Sequence, residues 1–360
     1  MFRDPTNLNN PDWEIAVVRS RWTQSNFPFG QPLQLSMDVF QDDTHYPSID
    51  EEGTPDWSPD VAYDLETGDV HVVWTTWSTS QSNPARLAYM WYDRSGSEWS
   101  GQYIVYEQGN AMNQWIPRIA IGYPGAAFGY VVAVVYSEWQ AGISKIHVGG
   151  ACWPPGTNPN STADFFHLPY DTGYDAGLPR IAITPRYLAV NYGTIIFTQS
   201  LGDEDEDGYE EFQVIEVNNV RDAEEYLDYF WPIEKNDNPY GIFGSIACHF
   251  EPGEEASASF NYFEQHSGGW RVANGRFDPT ESQPPEVEWT VMTGDGASVT
   301  GVLEWPDYVG YTYAHTIQAS DIATIYVPDT WDNAYWVAWC DAIDQDATEV
   351  YAAFGDTTPG

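Results

Sequence analysis

Pro59-Asp60-Val61-Ala62-Tyr63 is followed, one short turn later, by Val72-Val73-Trp74-Thr75. The pair recurs as Pro117-Arg118-Ile119-Ala120-Ile121 with Val134-Val135-Tyr136-Ser137, and as Pro179-Arg180-Ile181-Ala182-Ile183 with Ile195-Ile196-Phe197-Thr198. Two looser copies are Ser245-Ile246-Ala247-Cys248 with Ala258-Ser259-Phe260-Asn261, and Asp321-Ile322-Ala323-Thr324 with Val337-Ala338-Trp339-Cys340. β-Branched and aromatic residues in short runs suit pleated, half-buried strands. The copies recur about 60 to 75 residues apart, too long for a helical solenoid unit and right for one four-stranded propeller blade with its loops.

The expected fold is therefore all-β: one β-propeller domain over residues 1–360. Five blades of four antiparallel strands start near residues 59, 117, 179, 240 and 320. Six blades are the alternative, because Val302–Thr316 is apolar and aromatic but matches no repeat position. In the first blade the strands read Val61–Asp64, Asp69–Thr76, Leu87–Tyr92 and Gln102–Glu107. The fifth repeat ends early, with only Glu349–Phe354 after Cys340. A blade lacking its outer strand exposes an unpaired edge. The run Trp13–Val18 is expected to fill that place, making residues 1–56 a ring-closing strand and an arm. Asp222–Tyr229 is the one short helix candidate.

Composition bounds the partners. Asp and Glu number 54 against 13 basic residues, for a net charge of -41, and Lys145 and Lys235 are the only lysines. Such a surface repels nucleic acid and anionic membrane. Its self-repulsion is screened in molar salt, where the Debye length is about 3 Å, so a saline habitat is expected, with a calcium-loaded surface as the second explanation. No run approaches a transmembrane span. Met1-Phe2-Arg3-Asp4-Pro5 lacks the apolar core of a signal peptide in this numbering. Cys152, Cys248 and Cys340 form no metal-ligand spacing, and the sequence assigns no disulfide among them. Trp74, Trp91 and Trp99 read as strand packing, in a chain that is 16% aromatic.

Two sets of residues carry candidate chemistry. In a propeller the inner strands start at one rim of the central channel, so Asp60, Arg118, Arg180, Ser245 and Asp321 should ring one mouth. Two arginines there can clamp a carboxylate or sulfate; the competing reading is that they pair with neighbouring acids and hold blades together. The second set is Asp203-Glu204-Asp205-Glu206-Asp207-Gly208-Tyr209-Glu210-Glu211. Alternate carboxylates in a turn, a Gly for the reversal and a closing acid suit Ca²⁺. Asp203, Asp205, Asp207 and Glu211 would give side-chain oxygens and Tyr209 its carbonyl. Val214 stands where an EF-hand would need Glu.

The first repeat also carries a family likeness. Ser58–Asp64, Gly68–Thr75, Leu87-Ala88-Tyr89 and Asp93-Arg94-Ser95-Gly96-Ser97-Glu98-Trp99 together resemble one repeat of the sialidase-like, or Asp-box, β-propellers. Here Gly96 comes three residues after Asp93 rather than two. The resemblance implies a propeller, often secreted or surface-borne, that binds or cleaves glycans. Sialidases use three arginines, and the third has no counterpart at the positions of Asp60, Ser245 and Asp321. Trp57-Ser58-Pro59-Asp60 and Arg3-Asp4-Pro5 resemble family 43 glycoside hydrolases more faintly. Three functions stay open: a non-catalytic, calcium-stabilised recognition module for a glycan or other acidic extracellular ligand, a glycan-cleaving enzyme with its site at the channel mouth, and a structural or receptor-binding component of a virion or other assembly.

Overall fold

The computed structural model describes residues 2–3, 13–14, 18–21, 36–39, 56–64, 66–76, 85–107, 113–123, 129–139, 147–167, 176–183, 195–201, 211–217, 230–232, 241–250, 256–266, 269–277, 288–291, 320–327, 331–344 and 347–356. Side chains are described over 58–64, 66–76, 85–107, 113–123, 129–138, 148–166, 179–183 and 246–247.

Two strand pairs come first: β1 (Phe2–Arg3) with β2 (Trp13–Glu14), and β3 (Val18–Arg21) with β4 (Ser36–Val39). The first large sheet holds β5 (Asp56–Tyr63), β6 (Val70–Thr76), β7 (Arg86–Asp93), β8 (Glu98–Trp99) and β9 (Tyr103–Val105). β8 and β9 both pair with β7, so the outer position expected of one strand is divided between two. The second sheet runs β10 (Asn113–Gly122), β11 (Val131–Trp139), β12 (His147–Trp153) and β13 (Asp164–His167). A short helix, α1 (Pro159–Thr162), precedes β13 and is capped by the Asn158 side chain. That helix was not legible; the expected one at 222–229 lies outside the described residues.

The third sheet is β14 (Ala176–Ile183), β15 (Ile195–Leu201), β16 (Glu211–Val217) and β17 (Phe230–Pro232). The fourth is β18 (Gly241–Phe250), β19 (Ala256–His266), β20 (Gly269–Phe277) and β21 (Glu288–Val291). The last has three strands among the described residues: β22 (Ser320–Val327), β23 (Trp331–Asp344) and β24 (Ala347–Asp356). Every pairing is antiparallel between neighbours in the chain, apart from the split outer position of the first sheet.

The five first strands stack on one another in order. β10 lies against β5 and β14, β14 against β18, and β18 against β22. β2 lies against β5; of the expected closing run 13–18, residues 15–17 lie outside the described ones. Val302–Thr316 lies outside the described residues.

The core sits at the seams. Val73, Leu87 and Tyr89 of the first sheet meet Ile119, Val134 and Trp153 of the second, all 6% exposed or less. Burying each large side chain contributes about 1.5–3 kcal/mol. Tyr89 meets Trp153 edge-on at 5.0 Å. Trp91 stacks on Tyr103, Trp74 is buried, and Trp99 packs edge-on against Tyr92, so these tryptophans serve packing as expected. Cys152 is buried in β12.

The Asp93 turn has the expected form. Its Oδ1 accepts the Ser95 amide and hydroxyl and the Gly96 amide, at 2.7, 2.7 and 3.1 Å. These bonds hold the exposed carboxyl below its usual range. The turn reverses the chain from β7 into β8.

Candidate functional site

Asp60, Arg118, Arg180, Ser245 and Asp321 occupy equivalent ladder positions. Their partners are Val73, Val135, Thr198, Asn261 and Ala338, each on the second strand of its sheet. In the first four sheets the inner strand is irregular just before that residue. Trp57 pairs Thr75 but Asp60 pairs Val73; Trp115 pairs Ser137 but Arg118 pairs Val135. Gly177 and Arg180 oppose Ser200 and Thr198, and Ile242 and Ser245 oppose Phe263 and Asn261. One extra residue on one strand is a β-bulge, a device found beside active sites because it re-aims a side chain. In the fifth sheet Ser320 and Asp321 pair Trp339 and Ala338 without interruption.

The chemistry of the bulge is visible in two sheets. Ser58 has φ 47° and Ile116 has φ 49°, both in the left-handed region. Each precedes a proline, Pro59 or Pro117. Proline has no N–H to orphan where the ladder is broken. A β-branched residue such as Ile116 is strained at positive φ.

The first two inner strands meet at Asp60. Asp60 Oδ2 accepts the Ile119 amide at 2.9 Å, from the residue after Arg118. Asp60, Arg118 and Arg180 are each half-buried. Burial pushes the Asp60 carboxyl above its usual range. The charge of Arg118, the Ile119 and Val61 amides and the charge of Arg180 pull it back without reversing the shift. One Arg118 nitrogen donates to its neighbour's carbonyl, Pro117 O, at 2.8 Å. Asp60 is thus a carboxyl raised by burial, within the field of two guanidinium groups. A group of this kind can donate a proton beside a bound anion. The side chains of Ser245 and Asp321 lie outside the described ones.

Behind the rim lies a buried polar group that sequence reasoning missed. Gln114, Tyr136 and Glu138 are 1% exposed or less. Gln114 and Glu138 oppose each other across β10 and β11. Burial drives the Tyr136 hydroxyl well above its usual range, the Glu138 charge adds to this, and the Gln114 side chain opposes it. Arg86, from β7, feels Tyr136 and Glu138 across the seam. Gly149 makes the room: a Cβ there would collide with the Glu138 carboxylate. Nothing in the local sequence marks these residues, because their partners come from other strands.

A second clasp joins the same two sheets at the β5–β6 turn. Asp64 is fully buried. Its Oδ1 accepts the Glu66 amide, the Thr67 amide and the Tyr130 hydroxyl. Burial alone would raise this carboxyl; the hydrogen bonds outweigh it and hold it below its ordinary value.

The acidic loop 203–210 lies outside the described residues, and Glu211 opens β16. Ala176 pairs Leu201, and Leu201 pairs Glu211. The two ends of that loop therefore leave their sheet beside Ala176, where β14 begins, and Arg180 lies further along the same strand. Asp4, of the family 43 likeness, is also outside the described residues.

No protein-family model and no curated protein matches the chain. Solved structures do. The chain is similar to an intramolecular trans-sialidase from Ruminococcus gnavus, at 10% identity, with TM-score 0.51 over 84% of this chain and 78% of that one. It has a sialidase-like β-propeller architecture. A Hadza microbial sialidase is similar at 11% identity and TM-score 0.49; the match covers 84% of this chain and 57% of that one. An alpha-L-arabinofuranosidase from Fusarium graminearum is similar at 12% identity and TM-score 0.45, over 84% of this chain and 93% of that one.

Proposed function

We propose that this propeller cleaves an acidic glycan at the rim formed by Asp60, Arg118 and Arg180. The observation that carries the reading is the half-buried Asp60 carboxyl, which accepts the Ile119 amide and feels the charges of Arg118 and Arg180 from the next two inner strands. Arg118 and Arg180 would bind the carboxylate or sulfate of the sugar. Asp60 would protonate the leaving oxygen. A glycosidase needs a second, opposed carboxylate, and Asp321, at the equivalent position of the fifth inner strand, is the candidate. The likeness to sialidase architecture agrees with this choice of substrate class. The experiment is a hydrolysis screen of sialosides, uronides, sulfated sugars and arabinosides, with a glycan array on the same protein. Turnover of an acidic member supports the reading. Binding without turnover supports the second one, a recognition module, which the engagement of Asp60 by the Ile119 amide favours. No binding and no turnover would sink both.

Three features belong to the same reading. Five blades make the ring, which the N-terminal strands close; the contact of β2 with β5 supports this. Asp203, Asp205, Asp207, Tyr209 and Glu211 bind Ca²⁺ and order the connection between β15 and β16. Calorimetric titration of chelator-treated protein with Ca²⁺ tests it, and equal uptake by Asp205→Ala and wild type would reject it. The protein works outside the cell in salt-rich surroundings, which its charge supports.

A further inference from the structure

The bulges have a role that neither the repeat nor the architecture assigns. Side chains alternate along a strand, so one extra residue moves every later side chain to the opposite face of the ladder. Asp60, Arg118, Arg180 and Ser245 all stand directly after such an insertion. After Arg118, Arg180 and Ser245 the strands carry buried residues, Ile119, Ala182 and Ile246, whereas Val61 after Asp60 is exposed. In those three strands the bulge sets the side chain before it apart from the buried register after it.

The first two bulges also meet. Asp60 is presented by Ser58-Pro59, and the Ile119 amide that it accepts is presented by Ile116-Pro117. Both Ser58 and Ile116 hold positive φ. For Ile116 this conformation is intrinsically unfavourable, so the surrounding ladder holds it there. An observed outlier of this kind, next to a candidate site, points to a positioning task.

We propose that Ile116, with Ser58 in the preceding sheet, is a positioning residue: its left-handed bulge aims Arg118 at the rim and brings the Ile119 amide onto Asp60. The inference rests on the rim being the functional site, but its test needs no substrate. Asp60, Arg118 and Arg180 form one electrostatic unit. Displacing the Ile119 amide and Arg118 must therefore change how Asp60 titrates, even in a fully folded protein.

The experiment compares wild type with a deletion of Ile116 and with Ile116→Gly and Ile116→Ala. Deleting Ile116 removes the extra residue. Hydrogen exchange at the Ile119 amide should accelerate at least tenfold, and the Asp60 titration midpoint, followed by carboxyl NMR, should move. Far-UV circular dichroism and the melt report whether that variant folds. If it does not, the pair of substitutions decides. Both lose the same side chain beyond Cβ, so the difference between them reports the backbone. At positive φ, Ile116→Gly should melt higher than Ile116→Ala, the reverse of an ordinary strand position. Gly should also leave the Ile119 amide protected and the Asp60 midpoint in place. An Ala variant as stable as the Gly variant, or a folded deletion variant with unchanged Ile119 exchange and Asp60 titration, would overturn the proposal. Absence of glycan turnover in wild type would leave these readouts intact and would count only against the function proposed above.

Discussion

The Tyr130 hydroxyl donates to Asp64 Oδ1 at 2.7 Å, tying the second sheet to the first-sheet turn. The turn is otherwise closed by its own backbone, Gly68 N to Asp64 O and Asp64 N to Asp69 O. Tyr130→Phe leaves the turn intact and removes only the bond across the seam. It should cost about 1 kcal/mol of stability, the usual net value of one hydrogen bond. An unchanged melting temperature would show that the seam is held by packing alone.

The same pair sets two pH limits. Asp64 has a lowered folded pKa, so its stabilisation is present above the unfolded value and is lost as pH falls below it, in the range under about pH 4. Tyr130 has a raised folded pKa, from burial first and Asp64 second, so its stabilisation is present below the unfolded value and is lost at alkaline pH, above about 10. In Tyr130→Phe the alkaline loss should shrink. Melting curves across pH, wild type against variant, read this directly; parallel curves would contradict it.

His71 should give a third pH signature. It is fully buried, and its Nδ1 shares a hydrogen with the Tyr89 hydroxyl at 2.7 Å. Burial lowers its pKa to about 4. The unfolded chain takes up a proton that the folded chain refuses, so stability should fall as pH drops from about 6.5 to about 4. His71→Gln should flatten that interval in a melting series. A slope unchanged by the substitution would mean that other groups carry it.

Gly149 tests the buried polar group behind the rim. Gly149→Ala puts a methyl against Glu138 and Tyr136 and should destabilise by about 1–3 kcal/mol, the usual range for overpacking. Glu138→Gln in the same background relieves charge but not volume, so it should recover little. A neutral Gly149→Ala would mean that Glu138 has room to move.

Much of this fold is legible in local pattern. The Ile-Ala and Val-Ala strands announce themselves because β-branched alternation is a short-range signal, and β14, β18 and β22 lie where the repeats place them. The expected start of the first inner strand at Val61 is late: β5 begins at Asp56, because the bulge interrupts the pattern without ending the ladder. A period-two pattern does not report one inserted residue. The one local signal is the proline before Asp60, Arg118 and Arg180, which is also a member of the repeat. Asp64, Gln114 and Glu138 were invisible for another reason. A buried polar side chain is explained by its partner, and Tyr130 lies just before β11, far along the chain from Asp64. The matching ladder positions of Asp60, Arg118, Arg180, Ser245 and Asp321 were legible, because ladder position follows from repeat position.

Asp60 decides the central claim. The raised pKa means that its ionised form is disfavoured in the folded protein, so Asp60→Asn should keep or raise the melting temperature at pH 7. Asparagine can still accept the Ile119 amide, but it has no proton of the acidity needed for catalysis. The measurement is kcat/KM on the acidic glycoside found in the screen, for wild type, Asp60→Asn and Arg180→Ala, each with its melting temperature. The account predicts a loss of at least a hundredfold for Asp60→Asn, mostly in kcat, with stability unchanged or higher. Arg180→Ala should lose turnover mostly through KM. Full activity in Asp60→Asn, or a loss that only follows a fallen melting temperature, would contradict it.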